Sequence, residues 1–480
     1  MKRNVADLAL IGIFTAVILF FAVGAWLAPA DTVSVDENRA LAKPPKLHLR
    51  QLDEFTSSLE SFLNDRMVGR TLLVKSRNWL KYAAWGVSGS QNVAIGKQGW
   101  LYFLGDGSAP VIRHEKPFSQ RELSCWKAAL EQRTQYLAKR GIKYVFLAAP
   151  DKDTVYPEFL PTAWRPVHSQ SRLDQLTETM KQAPSVAFLN VADVLKTRKG
   201  QQNLYYKTDT HWNELGAFIA YRQVAGTIGL WFPFVKPLDE MALQYGTKKY
   251  ATGDCSKLLG LLGWLKEDSP SVAAQQQAKA AFPSTQKLGK AIVFHDSFGD
   301  GLKPFLSEHF EQIDYRKQDE PWIDLEDVAR QKPDVVIQEM VERHVAQFVP
   351  STTDWRTWVS KTIASNSKPN TTVWLNVMPS TADVTTRRFK QASIDGCTIK
   401  PTTCRTWSES GDTVTFDEKT ATYCDWYLLK TGEQGNSLRD KNSEQSYTAL
   451  SQFVRDGGAY VKVASHSEAD GSQLTLYRKK

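Results

Sequence analysis

The chain has 480 residues, 42% of them hydrophobic and 23% charged, with a formal net charge of +8. That length allows two or three domains, each burying its own core without disulfides or metal, and the composition excludes a disordered or low-complexity protein. The modest positive charge suits an acidic polymer or an anionic membrane surface; with no Lys/Arg cluster interleaved with aromatics, nucleic acid is not an expected partner.

Lys2, Arg3 and Asp7 precede an uncharged run from Leu8 to Ala30 that includes Leu10, Ile13, Phe14, Leu19, Phe20 and Trp26. About 20 such residues, at 1.5 Å each, span the hydrocarbon core of a bilayer. Basic residues ahead of a span stay in the cytoplasm, so the remainder is expected in the periplasm, anchored to a bacterial inner membrane by an N-terminal helix. A cleaved signal peptide is the competing reading, since Ala28-Pro29-Ala30 has a small-x-small form. The run exceeds the usual signal core of about 7–15 residues, which favours the uncleaved anchor over residues 1–30.

Residues 31–90 read as a tether and a helical entry segment. Asp36 to Arg39 and Pro44-Pro45 are polar and extended, after which Phe55, Leu59, Phe62, Leu63 and Met67 recur at helical spacing between Leu52 and Tyr82. Val93-Ala94-Ile95 and Leu101-Tyr102-Phe103 flank a glycine-bounded turn and predict a β-hairpin. From about 120 to 345, helical stretches alternate with the apolar runs Tyr144–Ala148, Val186–Leu189, Ala291–Phe294 and Val335–Ile337. Runs of this kind suit strands buried on both faces, so residues 91–350 are expected to form an α/β three-layer sandwich with a mostly parallel sheet.

After about residue 350 the pattern shifts to short strand candidates at Val373–Val377, Thr413–Phe416, Trp426–Leu429, Tyr460–Val463 and Leu474–Tyr477, with a helix around Ser446 to Phe453. A smaller β-rich domain over 351–480 follows. Trp355, Trp358, Trp374, Trp407 and Trp426 suit either sugar stacking or an aromatic core. The five cysteines fit an oxidising compartment, with one disulfide expected among Cys397, Cys404 and Cys424; none has CxxC spacing, and no metal site is expected.

Two short segments carry chemistry. In Thr208-Asp209-Thr210-His211-Trp212-Asn213, Asn213 is a good N-cap for the next helix, which puts Asp209 and His211 on the loop before it. A histidine acting as general base needs a carboxylate to hold its tautomer, but an Asp-x-His triplet is equally at home as a solvated loop. In His295-Asp296-Ser297-Phe298-Gly299, Ser297 stands on a strand-to-helix turn, a place for a nucleophile with outward N–H groups or simply for a helix cap. Lys152 and Tyr156 follow the strand ending near Ala149, at the carboxyl edge where open α/β sheets bind ligands. Glu339, Glu342 and Arg343 reach the rim of the site or form structural salt bridges. The remaining histidines are too scattered for metal ligands.

Asp209-x-His211-Trp212 and Asp296-Ser297-Phe298 together resemble the signature and nucleophile blocks of the alginate O-acetyltransferase group of SGNH hydrolase-like proteins. Glu37-Asn38-Arg39, Gly96 to Tyr102, Pro150-Asp151-Lys152, Gly253-Asp254 and Pro304-Phe305-Leu306 extend the resemblance over roughly 35 to 345, in order. The resemblance implies Ser297 as nucleophile, His211 as general base and Asp209 as its orienting partner. His295 stands where the hydrolase block has glycine, so His295 and Asp296, with Lys152, Tyr156 and Arg343, are expected as substrate or oxyanion contacts. The implied activity is O-acetylation of an exported polysaccharide such as alginate, through a serine acyl-enzyme and with no cofactor. A membrane-bound O-acyltransferase is the implied donor partner, and some relatives carry a C-terminal carbohydrate-binding domain. A periplasmic acetyl esterase with the same triad and a non-catalytic polysaccharide-binding scaffold are the alternatives.

Overall fold

The computed structural model describes residues 5–27, 33–34, 39–40, 42–45, 52–67, 70–240, 245–272, 286–319, 321 and 323–350, and beyond these residue 363 and the strand segments named below. Its centre is a parallel sheet of five strands: β1 (Lys143–Ala149), β2 (Ala187–Asn190), β3 (Leu288–His295), β4 (Phe310–Lys317) and β5 (Val335–Val341). Their spatial order is β4-β3-β5-β1-β2. Alternate side chains enter opposite cores. On β1, Val145, Leu147 and Ala149 join one cluster and Tyr144, Phe146 and Ala148 the other; on β5, Val335 and Ile337 oppose Val336 and Met340. Both faces are buried, which is why these runs read as continuous apolar stretches.

Helices α1 (Gln120–Ala138) and α2 (Arg172–Met180) cover one face through Trp126, Leu130, Leu173 and Leu176. Reciprocal capping boxes, Ser119 with Glu122 and Ser171 with Asp174, start both helices and satisfy N–H groups that would otherwise be orphaned. Helix α3 (Glu214–Gly229) covers the other face with Phe218, Tyr221, Val224 and Ile228. The expected three-layer α/β sandwich is therefore present.

Several expectations are refined. The helical entry segment expected over Leu52 to Tyr82 consists of two helices, Leu52–Arg66 and Arg70–Trp85. The hairpin pairs Val93–Ile95 with Leu101–Phe103, and its turn places Gln98 at φ 55° and Gly99 at φ 78°. After Ser297 a 3-10 turn, Phe298–Leu302, precedes the helix Lys303–Leu306.

In the C-terminal part, segments 372–377, 392–394, 397–402, 426–431, 460–467 and 473–479 form one six-stranded mixed sheet, and Trp407–Ser410 pairs with Thr413–Phe416. All five strands expected there occur, with three more. The expected helix over Ser446 to Phe453, together with Trp355, Trp358, Cys404 and Cys424, lies outside the described residues; Trp374, Cys397, Trp407 and Trp426 fall on strands by their backbone alone. Cys255 is a buried free thiol.

At the N-terminus a helix of 23 residues runs Val5–Leu27. Among the described residues no helix is long and apolar enough to cross a membrane, so the expected transmembrane helix is not shown. Those side chains of Val5–Leu27 that are described, including Leu10, Ile11, Phe14 and Phe20, are largely exposed.

Candidate active site

Strand β3 ends at His295, and the next two residues turn at the carboxyl edge of the sheet. Asp296 is fully buried there and spends its carboxylate on the protein. One oxygen accepts the Phe298 N–H at 2.9 Å; the other accepts the Val341 N–H at 2.7 Å and meets His344 Nδ1 at 3.1 Å. Burial alone would push Asp296 up, but the hydrogen bond and charge of His344 and the charge of Arg343 outweigh it and hold the carboxyl below its ordinary range. Glu339 accepts the Asp296 N–H at 3.2 Å. Buried, and beside the charge of Asp296, Glu339 is pushed well above the usual carboxylate range. Two carboxyls, one pushed up and the other held down, thus sit back to back under the turn and fix its shape, leaving Ser297 half-buried at its apex.

The opposite side is the loop before α3. Asn213 caps the helix, its side-chain oxygen accepting the N–H groups of Leu215 and Gly216. Just ahead, the His211 N–H donates to Asp209 Oδ1 at 3.1 Å, and His211 Nδ1 meets the same oxygen at 2.6 Å. His211 Nε2 then lies 2.7 Å from Ser297 Oγ. The three residues form one hydrogen-bonded chain, carboxylate to imidazole to hydroxyl. The imidazole tilts over the Phe298 ring, and the Trp212 indole N–H donates to the Phe298 carbonyl at 3.0 Å, joining the two sides.

Electrostatics follow the geometry. Burial would lower His211, yet the hydrogen bond and charge of Asp209 outweigh it, Asp254 adds to them and Arg343 subtracts, so the imidazole is held above its ordinary value. Burial would likewise raise Asp209, but His211 and the Tyr250 hydroxyl hold it well below the usual carboxylate range.

An antiparallel ribbon, Tyr245–Tyr250 paired with Glu267–Val272, supports the loop from outside. Tyr250 donates its hydroxyl to Asp209 Oδ2 at 2.5 Å and stacks on Tyr206. Glu267 accepts the N–H groups of Lys207 and Thr208 and the Thr208 hydroxyl. Asp254 accepts the N–H and hydroxyl of Thr210, and its own N–H donates to Asp209 Oδ2 at 3.2 Å. Sequence reading missed Tyr250 and Glu267 and gave Asp254 no role. The only signal was Gly253-Asp254, whose glycine is explained here, because an added Cβ would lie 2.2 Å from the Thr208 carbonyl oxygen.

Four of the expected contact residues sit elsewhere than at an open rim. Lys152 is 4% exposed, and its ammonium donates to the backbone carbonyls of Tyr206, Lys207 and Asp209, so it is a strut beneath the loop. Tyr156 is buried, and its hydroxyl accepts the Leu204 N–H at 2.8 Å. His295 is buried; its Nδ1 donates to the Asp296 carbonyl and its ring meets Tyr315 edge-on. Gly299 makes room for this imidazole, since an added Cβ would lie 2.4 Å from His295 Cβ. Asp296, as described, is a support beneath the turn. Each placement has the same cause: a buried polar group must find its partners inside the protein.

Arg343 lies at the start of α4 (Glu342–Gln347) and pairs with Asp151, and its guanidinium stands 5.4 Å over the Phe298 ring. It is buried, and its Nε has no partner among the described residues. Asp209, His211 and Asp254 bring potential metal-ligand atoms within 4.8 Å of one another. The same atoms are committed to the His211–Asp209 bond and to Thr210, so the donor set serves the hydrogen-bonded chain.

The family model for the SGNH hydrolase-like domain of the acetyltransferase AlgX matches residues 93–297. A curated relative from Pseudomonas aeruginosa, probable alginate O-acetylase AlgJ, is 27% identical over 223 residues, 46% of this chain and 54% of the relative. The protein of the same name from Pseudomonas fluorescens is 29% identical over 141 residues, 29% of this chain and 34% of the relative. The chain thus spans about half the length, or less, of these relatives. Among solved structures, the O-acetyltransferase domain of Pseudomonas putida AlgJ is similar at a TM-score of 0.39 with 18% identity, over 56% of this chain and 98% of that one.

Proposed function

Because residues 93–297 carry an SGNH hydrolase-like domain of the AlgJ/AlgX family, we propose that the protein is a polysaccharide O-acetyltransferase with Ser297 as nucleophile, His211 as general base and Asp209 as its orienting carboxylate. The observation that carries this reading is the unbroken chain of hydrogen bonds, 2.6 Å from His211 to Asp209 and 2.7 Å from His211 to Ser297. In the first half-reaction Ser297 Oγ attacks the acetyl carbonyl while His211 Nε2 takes its proton; the leaving group then departs with that proton, leaving an acetyl-serine. In the second, His211 deprotonates a sugar hydroxyl, which takes the acetyl and restores the serine. The Ser297 N–H, with no acceptor among the described residues, is free to support the developing oxyanion.

The acceptor is an exported polysaccharide such as alginate, the polymer in the relatives' names. The apolar run over Leu8–Ala30 supports an N-terminal inner-membrane anchor, with the body in the periplasm beside a membrane-bound O-acyltransferase that supplies acetyl; the anchor would raise the effective concentration of donor and acceptor. Incubating the full chain with an acetyl ester and following the Ser297 peptide by mass spectrometry, with and without oligosaccharide, tests the reading. An acetyl-serine that oligosaccharide discharges into sugar ester is expected. Acetate release indifferent to acceptor would make the protein an esterase, and absence of any adduct would leave a non-catalytic scaffold.

A further inference from the structure

We propose that the helix Arg70–Trp85 lies flat on an anionic phospholipid surface, its outer face among the acyl chains and a row of cations against the lipid phosphates. This is independent of the acetyl-transfer reading; it adds to the proposed N-terminal anchor a second lipid contact, one that orients the folded body. The helix carries Arg70, Lys75, Arg77 and Lys81 and no acidic residue. Three contacts settle its inner side. Lys75 Nζ donates to the Leu262 carbonyl at 3.3 Å, the Asn78 side-chain amide donates to the Leu259 carbonyl at 2.9 Å, and Tyr82 packs on the buried cluster of Val93, Leu101 and Leu259. Residues at these spacings share one face of a helix.

The opposite side is apolar and uncovered. At about 100° per residue, Leu72, Leu73, Trp79 and Leu80 fall with Ala83 and Ala84 on the arc turned away from those contacts. The four large side chains are between 45% and 60% exposed. Helices α1 and α2 turn their large apolar side chains into the core, whereas this one turns them outward. A contiguous apolar face of this kind marks a surface that meets something other than water.

Charge identifies the occupant. Arg70, Arg77 and Lys81 follow one another along one border of the arc, and Arg77 and Lys81 have no carboxylate partner among the described residues. Leucines and a tryptophan bordered by unpaired cations match the boundary of a bilayer, where acyl chains lie beneath and phosphates beside. A protein partner would need no such cationic border. The surface is also within reach, because only the tether and the helix Leu52–Arg66 stand between this helix and the apolar run Leu8–Ala30.

The test is hydrogen exchange of the full-length protein, read by mass spectrometry, with phosphatidylcholine vesicles with and without about 30% phosphatidylglycerol. Anionic vesicles should slow exchange over residues 70–87 by at least about tenfold, and neutral vesicles or high salt should weaken that protection at least about threefold. Leu73→Ser/Leu80→Ser and Arg77→Gln/Lys81→Gln should each lose most of it, while exchange in Gln120–Ala138 stays unchanged and shows the fold intact. Equal exchange with and without vesicles, or protection untouched by both double variants, would overturn the proposal. So would protection that needs no lipid and grows with protein concentration, which would assign the face to a second copy of the chain. Protection of residues 5–27 without 70–87 would remove the surface helix and keep the anchor; the reverse would keep the surface helix and remove the anchor.

Discussion

The two halves of the site are held in opposite ways. Ser297 stands on a turn built into the sheet: Asp296 and Glu339 lie fully buried beneath it and are bonded to strand β5 and to the turn's own backbone. Asp209 and His211 stand on a loop that closes on itself through Tyr206 N–H to the His211 carbonyl and Asn213 N–H to the Leu204 carbonyl, and is then anchored from outside. Its position comes from groups distant in sequence, Lys152 below and Tyr250, Asp254 and Glu267 outside. The Ser297 hydroxyl is therefore placed by the architecture and the His211 imidazole by borrowed hydrogen bonds. Changes near Ser297 should act on folding or chemistry outright, whereas changes around His211 should act in degrees.

The largest effect tests the premise that both halves serve one reaction. Ser297→Ala should reduce acetyl transfer by at least about 10³-fold while leaving the thermal midpoint nearly unchanged; residual transfer close to wild type would dissolve the pairing. Asp209→Asn keeps the shape but frees the imidazole to take the wrong tautomer, and a fall of about 10²- to 10⁴-fold in kcat is expected from steady-state kinetics.

Lys152→Met would leave three carbonyls without their shared donor. A loss of about 2–4 kcal/mol in denaturant unfolding is expected, together with a drop in kcat, because the loop depends on a strut outside itself. A variant as stable as wild type would show that the loop holds itself.

The smallest effects concern proton affinity. Since His211 is held above its ordinary value, kcat/KM should rise with pH through an acid limb centred above about 6.5, the base being needed neutral. Tyr250→Phe removes a donor from Asp209 and concentrates its charge on the imidazole. The acid limb should then move upward by a few tenths of a pH unit, with about a three- to tenfold loss of kcat. A downward shift would mean that Tyr250 acts only through packing.

What the sequence reveals divides along the same line. The β1, β3 and β5 runs are legible because a strand buried on both faces has no polar positions to interrupt it, and the start of α3 because Asn213 is a local cap. The proximity of Asp209, His211 and Ser297 is suggested only by family likeness, since 86 residues separate the imidazole from the hydroxyl it meets. Tyr250 and Glu267 left no trace, being ordinary residues of a polar ribbon whose importance lies in what they touch. Lys152 shows the same limit: its place after β1 suggests an exposed rim, and only the folded loop supplies the carbonyls that bury its ammonium.

The ribbon is inserted in the connection between α3 and β3, outside the five-stranded sheet. Tyr250 donates to Asp209 from one of its strands, and Glu267 holds the Lys207–Thr208 backbone from the other. Exchanging residues 245–272 as a unit would therefore change the basicity of the histidine together with the core contacts of Val272, Leu259 and Leu261 in a single event.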